Sequence, residues 1–166
     1  MIATFDDKLA ALAKAMLAVM YDDEGGARDA GVGLAAPQVG VNVRLMVFNP
    51  SGDASKPEEE VVLVNPRVTS TGGGLEVGDE GCLSFPGVYG GVGRPVRAKV
   101  KAQALDGSPF KLTLEGFSAR VFLHEYDHLQ GVLFHERMEP DAVAAAGPVL
   151  RGLEEAWERA AAGGSE

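Results

Sequence analysis

Two histidines four residues apart, with a glutamate directly after the first, form a pattern with a chemistry attached. His124-Glu125-Tyr126-Asp127-His128 has that form. On a helix each residue advances about 100°, so positions four apart return to nearly the same face. His124 and His128 then aim two imidazoles at one point. Glu125 stays within reach of a water held there without replacing it. These are the mechanics of an H-E-x-x-H metal site. The plainer alternative is a surface helix that happens to carry two His and two acids. Against it, the chain holds 3 His, and two of them fall at this spacing with Glu in the required slot.

The third ligand decides which reaction follows. Zinc proteases with this motif take a further His or Glu from downstream. The long form H-E-x-x-H-x-x-G-x-x-H is nearly present, with Gly131 in place, but Phe134 stands at its last position and His135 comes one residue late. A shift of one residue swings a side chain by about 100°, which makes His135 a poor candidate. The other strong ligand is the single cysteine, Cys82, within Glu80-Gly81-Cys82-Leu83-Ser84. Cys with two His is a catalytic set that leaves a fourth position open for water.

Three separated stretches resemble the peptide deformylase family: Gly31-Val32-Gly33-Leu34-Ala35-Ala36-Pro37-Gln38, Glu80-Gly81-Cys82-Leu83-Ser84, and His124-Glu125-Tyr126-Asp127-His128 followed by Leu129 and Gly131. They stand in the family's order. The likeness continues through Val64-Asn65-Pro66, Phe85-Pro86-Gly87, Glu115-Gly116-Phe117 and Leu133-Phe134, so it covers most of the chain to about Met138. Leu45 to Pro50 together with Phe85 to Tyr89 look most like the plastid-type branch.

The resemblance implies a metal-dependent hydrolase that removes formyl from the N-terminal methionine of nascent polypeptides. Cys82, His124 and His128 would hold one divalent ion, Fe2+ or Zn2+, between which ligand softness does not separate. Glu125 would carry the proton. The Gln38 side chain and the Leu83 backbone N–H would face the developing oxyanion. Gly33 would hydrogen-bond the substrate backbone, and Val32 would wall the methionine pocket. Leu123 departs from the Gln of the family pattern, beside the first ligand. The Asp22 to Ala30 loop is longer than the family's, and a short segment ahead of the first helix is missing.

Rival functions are a metallopeptidase, a Cys–His hydrolase attacking through Cys82, and a catalytically silent metal-stabilised binding module. The peptidase needs a downstream ligand. Chelator insensitivity would mark the thiol enzyme. A purely structural site has no use for Glu125.

These motifs must be positioned by a fold. At 166 residues the chain reads as one catalytic domain, 1–166, large enough for a real core. Its net charge of −9 gives no general attraction to nucleic acid or anionic membrane. A single Cys suits a reducing compartment. No apolar run approaches the ~18 residues that span a bilayer, and Asp6 and Asp7 stand where a signal peptide would carry positive charge. With the resemblance, these features point to a plastid stroma or a bacterial cytoplasm. A place near the ribosome would be transient, because the last helix is not basic.

Thr4 to Tyr21 reads as a helix capped by Thr4, with Phe5, Leu9, Leu12, Met16 and Met20 as its apolar stripe. Gly31 to Gln38 reads as a tight turn, Val43 to Phe48 and Val61 to Val64 as strands, the latter ended by Asn65-Pro66. Ser70 to Gly74, Phe85 to Gly87 and Gly90-Gly91 read as turns. Val96 to Ala104 and Phe110 to Glu115 alternate with period two and form a hairpin about Asp106-Gly107. The motif helix is expected from Ser118 to Gln130, stopped by Gly131, with Val121, Phe122, Leu129 and Leu133 packed on the sheets. A last helix is expected from Pro148, with Leu150, Leu153 and Trp157 as its stripe and a frayed end from Ala160. The fold class is α+β: mixed or antiparallel sheets around a central helix carrying the H-E-x-x-H motif, with a C-terminal helix.

Overall fold

The computed structural model describes residues 1–22 and 31–163. The expected loop from Asp22 to Ala30 therefore lies outside the described residues after Asp22. Helix α1 spans Asp7–Tyr21, and strands follow at Gly33–Ala35 (β1), Leu45–Phe48 (β2), Val61–Cys82 (β3), Phe85–Gln103 (β4) and Pro109–Glu115 (β5). Helix α2 is Gly116–His128 and helix α3 is Pro140–Gly163. The strands form one five-stranded sheet in the order β1-β2-β3-β4-β5, and the pairs β1–β2, β2–β3 and β4–β5 run antiparallel. The α+β class holds, with one sheet. Among the described residues no helix is long and apolar enough to cross a membrane.

The chain divides into two compact units. One comes from Met1–Glu76 and Arg94–Leu133, the other from Val77–Gly93 and Phe134–Glu166.

In the first unit α1 is capped by Asp6, not Thr4. The Asp6 carboxylate accepts from the Leu9 N–H at 3.0 Å, the bond a helix N-terminus needs. Leu9, Ala13, Met16 and Met20 are its buried stripe, while Phe5 and Leu12 are half-buried. The Met residues are core, each contributing roughly 1.5–3 kcal/mol on burial. β2 is buried at every position. In β4 Ala98, Val100 and Ala102 face the core while Arg97, Lys99 and Lys101 face solvent, as the period-two pattern requires.

β3 does not stop at Asn65-Pro66. Asn65 takes a left-handed φ of 52°, which Asn tolerates better than most residues. Its amide holds the backbone N–H and C=O of Ile2, each at 2.8 Å, and donates to Gln103 Oε1. The strand bends there and continues. Ser70 to Gly74 also lies inside β3, because Gly73 and Gly74 carry φ of 82° and 79° without breaking the ladder.

α2 begins at Gly116, two residues before the expected start, and ends at His128. Gly131 does close it, with a φ of 76° and its N–H on the His128 carbonyl. Val121 and Phe122 enter the core, and Leu129 packs against it. Leu133 stays 36% exposed, contrary to expectation.

In the second unit a two-residue turn, Leu83-Ser84, joins the end of β3 to β4. Phe85 to Gly87 and Gly90-Gly91 are strand, not turns. The glycines there serve closeness. A Cβ on Gly90 would strike the Met138 side chain and stand 2.9 Å from the Ala142 Cβ. The Glu139 N–H bonds the Gly91 carbonyl at 2.9 Å, and Val92 bridges Met138. α3 opens at Pro140 and passes through Pro148 to Gly163. Pro140 lacks an N–H that a first turn cannot use anyway. Ala142, Val143, Ala146, Leu150 and Leu153 pack into this unit's core with Val88, Val92 and Phe134. Trp157, expected on that stripe, is 71% exposed. Helix also covers Ala160 to Gly163, where fraying is expected from the sequence.

Candidate active site

α2 is buried almost all round, and its chemistry-bearing residues share that burial. His124, Glu125, Asp127 and His128 are all buried. The imidazoles of His124 and His128 meet edge to face, with centroids 5.0 Å apart and planes at 73°. The four-residue spacing thus places both rings on one face. Burial pushes the His128 pKa down to about 4, helped by the neighbouring His124 and by Arg94, and opposed by Asp127. His128 is therefore neutral at neutral pH, the state in which an imidazole can ligate.

Asp127 turns to a different task. Its carboxylate takes the Arg94 guanidinium of β4 at 2.7 Å, with the two side chains only 10% and 6% exposed. Arg44 fixes the end of the same helix. Its guanidinium donates to the carbonyls of Leu129 and Pro66 at 3.1 and 3.0 Å and lies 5.6 Å over the Tyr126 ring. A cation at a helix C-terminus also opposes the negative end of the macrodipole. The ion pair of Arg94 and Asp127 escapes sequence reasoning, because the two residues lie 33 positions apart in the chain. A cleft of about 640 Å³ runs past His128, Pro37, Asn42, Arg44 and Gln130.

β1 brings the glycine-rich stretch to this helix. The stretch is a short strand followed by a 3-10 turn over Ala36–Val39, not a tight turn throughout. Gly33 pairs with Phe48, and β1 is the first strand of the sheet order. The Gly33 backbone lies against the Glu125 carboxylate. The Gln38 side-chain oxygen accepts from the Ala35 N–H at 2.7 Å, which makes Nε2 the donating end of that amide. The Val32 carbonyl accepts from the Asn49 N–H at 2.9 Å, and its side chain packs against the core.

In the second unit the half-buried Cys82 ends β3, and Leu83 opens the turn. A Cβ on Gly81 would stand 2.6 Å from the Tyr89 ring, so Tyr89 lies flush against the residue before Cys82. His135 packs edge-on to Phe85, centroids 5.1 Å apart, as an aromatic of this unit's core. Cys82 carries the chain's single thiol, and His124 and His128 are the two imidazoles that α2 brings together.

The polypeptide deformylase family model matches residues 1–143. The chain belongs to this family. It is 50% identical over 157 residues to the chloroplastic peptide deformylase 1B of Oryza sativa subsp. japonica, covering 95% of this chain and 56% of that one. A peptide deformylase of Chromohalobacter salexigens is 42% identical over 139 residues, 84% of this chain and 76% of that one. A crystal structure of Arabidopsis thaliana peptide deformylase 1B in complex with an inhibitor superposes with a TM-score of 0.86 at 45% identity, covering 95% of this chain and 83% of that one. The chain spans 54–56% of the length of the plant relatives it matches.

Proposed function

We propose that this chain hydrolyses the N-formyl amide of N-terminal formylmethionine on nascent polypeptides, releasing formate, with residues 1–166 acting as one catalytic domain. The observation that carries this reading is the buried His124–His128 pair on one helix with a Glu125 that lies against Gly33 of β1, in a chain of the deformylase family.

Cys82, His124 and His128 would hold one divalent ion, Fe2+ or Zn2+. The donor set fits: a thiol and two imidazoles, one of them kept neutral by burial. A bound ion would supply Lewis acidity, which lowers the pKa of water from 15.7 toward about 7. Glu125 takes the proton of the attacking water. Water oxygen adds to the formyl carbon, the C–N bond breaks, and Glu125 returns the proton to the leaving amine. The Gln38 amide N–H and the Leu83 backbone N–H donate to the oxyanion. The Gly33 backbone holds the substrate as an added strand on β1, and Val32 walls the methionine pocket. A formyl carbon bears only hydrogen on its far side, so a closely built site admits it and rejects acetyl.

The partners are formylmethionyl peptides, met near the ribosome only in passing. Neither direct binding of nucleic acid nor of membrane is part of this reading. A relative named as chloroplastic and another from Picosynechococcus sp. support a plastid stroma or a bacterial cytoplasm. Anaerobic purification with metal analysis, followed by formate release from matched formyl-Met and acetyl-Met peptides, tests the reading. The expected result is one ion per chain and turnover of the formyl peptide alone. Equal rates on both, or cleavage of internal bonds, would overturn it in favour of a peptidase.

A further inference from the structure

Gly33 leaves no room for a side chain, and what fills the room is the group proposed to carry the proton. A Cβ built on Gly33 would stand 2.7 Å from Oε1 and 2.9 Å from Cγ of Glu125, and 3.0 Å from Cγ1 of Val121. Backbone conformation does not demand glycine here. Gly33 has no positive φ and pairs in regular register with Phe48. The requirement is space alone. The surroundings differ in how easily they yield. The strand backbone is held by β2, and Val121 belongs to the packed core. The Glu125 carboxylate is the end of a flexible side chain, so it moves first. We propose that Gly33 is a positioning residue: its missing side chain is the seat that fixes the Glu125 carboxylate for proton transfer.

This inference rests on the assignment of Glu125 above and is separate from any hydrogen bond between the Gly33 backbone and substrate. A methyl group at 33 leaves that N–H and C=O in place. It therefore acts on the chemical step and not on substrate binding.

The test uses Gly33→Ala, Glu125→Gln, Glu125→Asp and the double variant Gly33→Ala/Glu125→Asp. Metal per chain, melting temperature, kcat and KM for formate release are measured on each. Gly33→Ala should fold with wild-type metal content and KM, and lose kcat by roughly 100-fold, the scale of a misplacement of about 1 Å. Aspartate is one methylene shorter and draws the carboxylate back from the place where Oε1 of Glu125 meets the new methyl at 2.7 Å. In the Glu125→Asp background Gly33→Ala should then cost less than about threefold, a non-additivity expected of groups in contact. Wild-type activity in Glu125→Gln would overturn the functional reading itself. An inactive Glu125→Gln beside a fully active Gly33→Ala would overturn only the inference. So would a loss confined to KM, an equal loss in both backgrounds, or a Gly33→Ala protein that does not fold.

Discussion

Helices α2 and α3 use their residues in opposite ways. α2 has 13 residues, and nine of them are buried, including Arg120, His124, Glu125, Asp127 and His128. α3 has 24 residues, and Ala146 is the one buried among those described. Length favours α3, yet the shorter helix carries the polar groups that folding would rather leave in water. Burying a polar side chain without a partner costs roughly 2–7 kcal/mol. A fold retains such residues where partners offset the cost or where reactivity depends on it. On α2 the first holds for Asp127 with Arg94, and the second is proposed for Glu125 and the histidines. α3 is a solvated cover. Its Glu155–Arg159 pair is 3.8 Å long with both side chains about 70% exposed, a geometry worth less than about 1 kcal/mol.

If that contrast is right, the largest effect of any single change should fall on Glu125. Glu125→Gln keeps the shape and every proposed ligand but removes the base. Turnover should fall by roughly 10²–10⁴, the usual contribution of a placed acid–base group. Metal content, read by elemental analysis, should not change. Loss of the ion with this substitution would make Glu125 a ligand and break the division of roles on α2.

Asp127→Ala should be the next largest, and its effect should be on stability. It removes the ion partner of a guanidinium that is 6% exposed. Breaking such a pair costs about 3–5 kcal/mol, which denaturant titration would detect. A change below about 1 kcal/mol would mean that the pair is a passenger and that polar burial on α2 is not held by partners. In the second unit, Gly90→Ala should have a smaller effect. The new methyl would meet Met138 and Ala142, and overpacking of this kind costs about 1–3 kcal/mol. Its signature is faster amide exchange in α3 with that of α2 unchanged.

The same contrast separates what can be read in the sequence from what cannot. His124 and His128 are legible because a four-residue spacing is itself a geometric statement. Ala98, Val100 and Ala102 are legible because alternation reports a half-wet strand. The errors gather at Asn65-Pro66, Gly73-Gly74 and Gly90-Gly91, which read as breaks and lie within strands. Glycine and asparagine signal what a backbone can do. Whether they turn the chain or let a neighbour approach depends on what packs there, and Met138 lies 48 residues from Gly90 in the chain. Arg94 and Asp127 are likewise 33 residues apart, with no local pattern to join them. Pro148 reads as a start because a proline inside a helix is costly, yet Pro140 supplies the start and Pro148 sits on an exposed turn.

Trp157 gives the smallest expected effect and the sharpest test of α3 as a cover. Spacing puts it four residues after Leu153, on a line with residues that do pack. The burial ends at Leu153, and the indole stands 71% exposed. An exposed side chain has little transfer energy to lose, so Trp157→Ala should change stability by no more than about 0.5 kcal/mol. Formate release should match the parent in both kcat and KM, since no proposed site residue lies on α3. Leu153→Ala, one turn earlier and packed against Val88, Val92 and Phe134, serves as the contrast and should destabilise measurably. Thermal melts of the two variants side by side decide the matter. Equal losses would mean that the indole packs as Leu153 does, and the outer half of α3 would then be core and not cover.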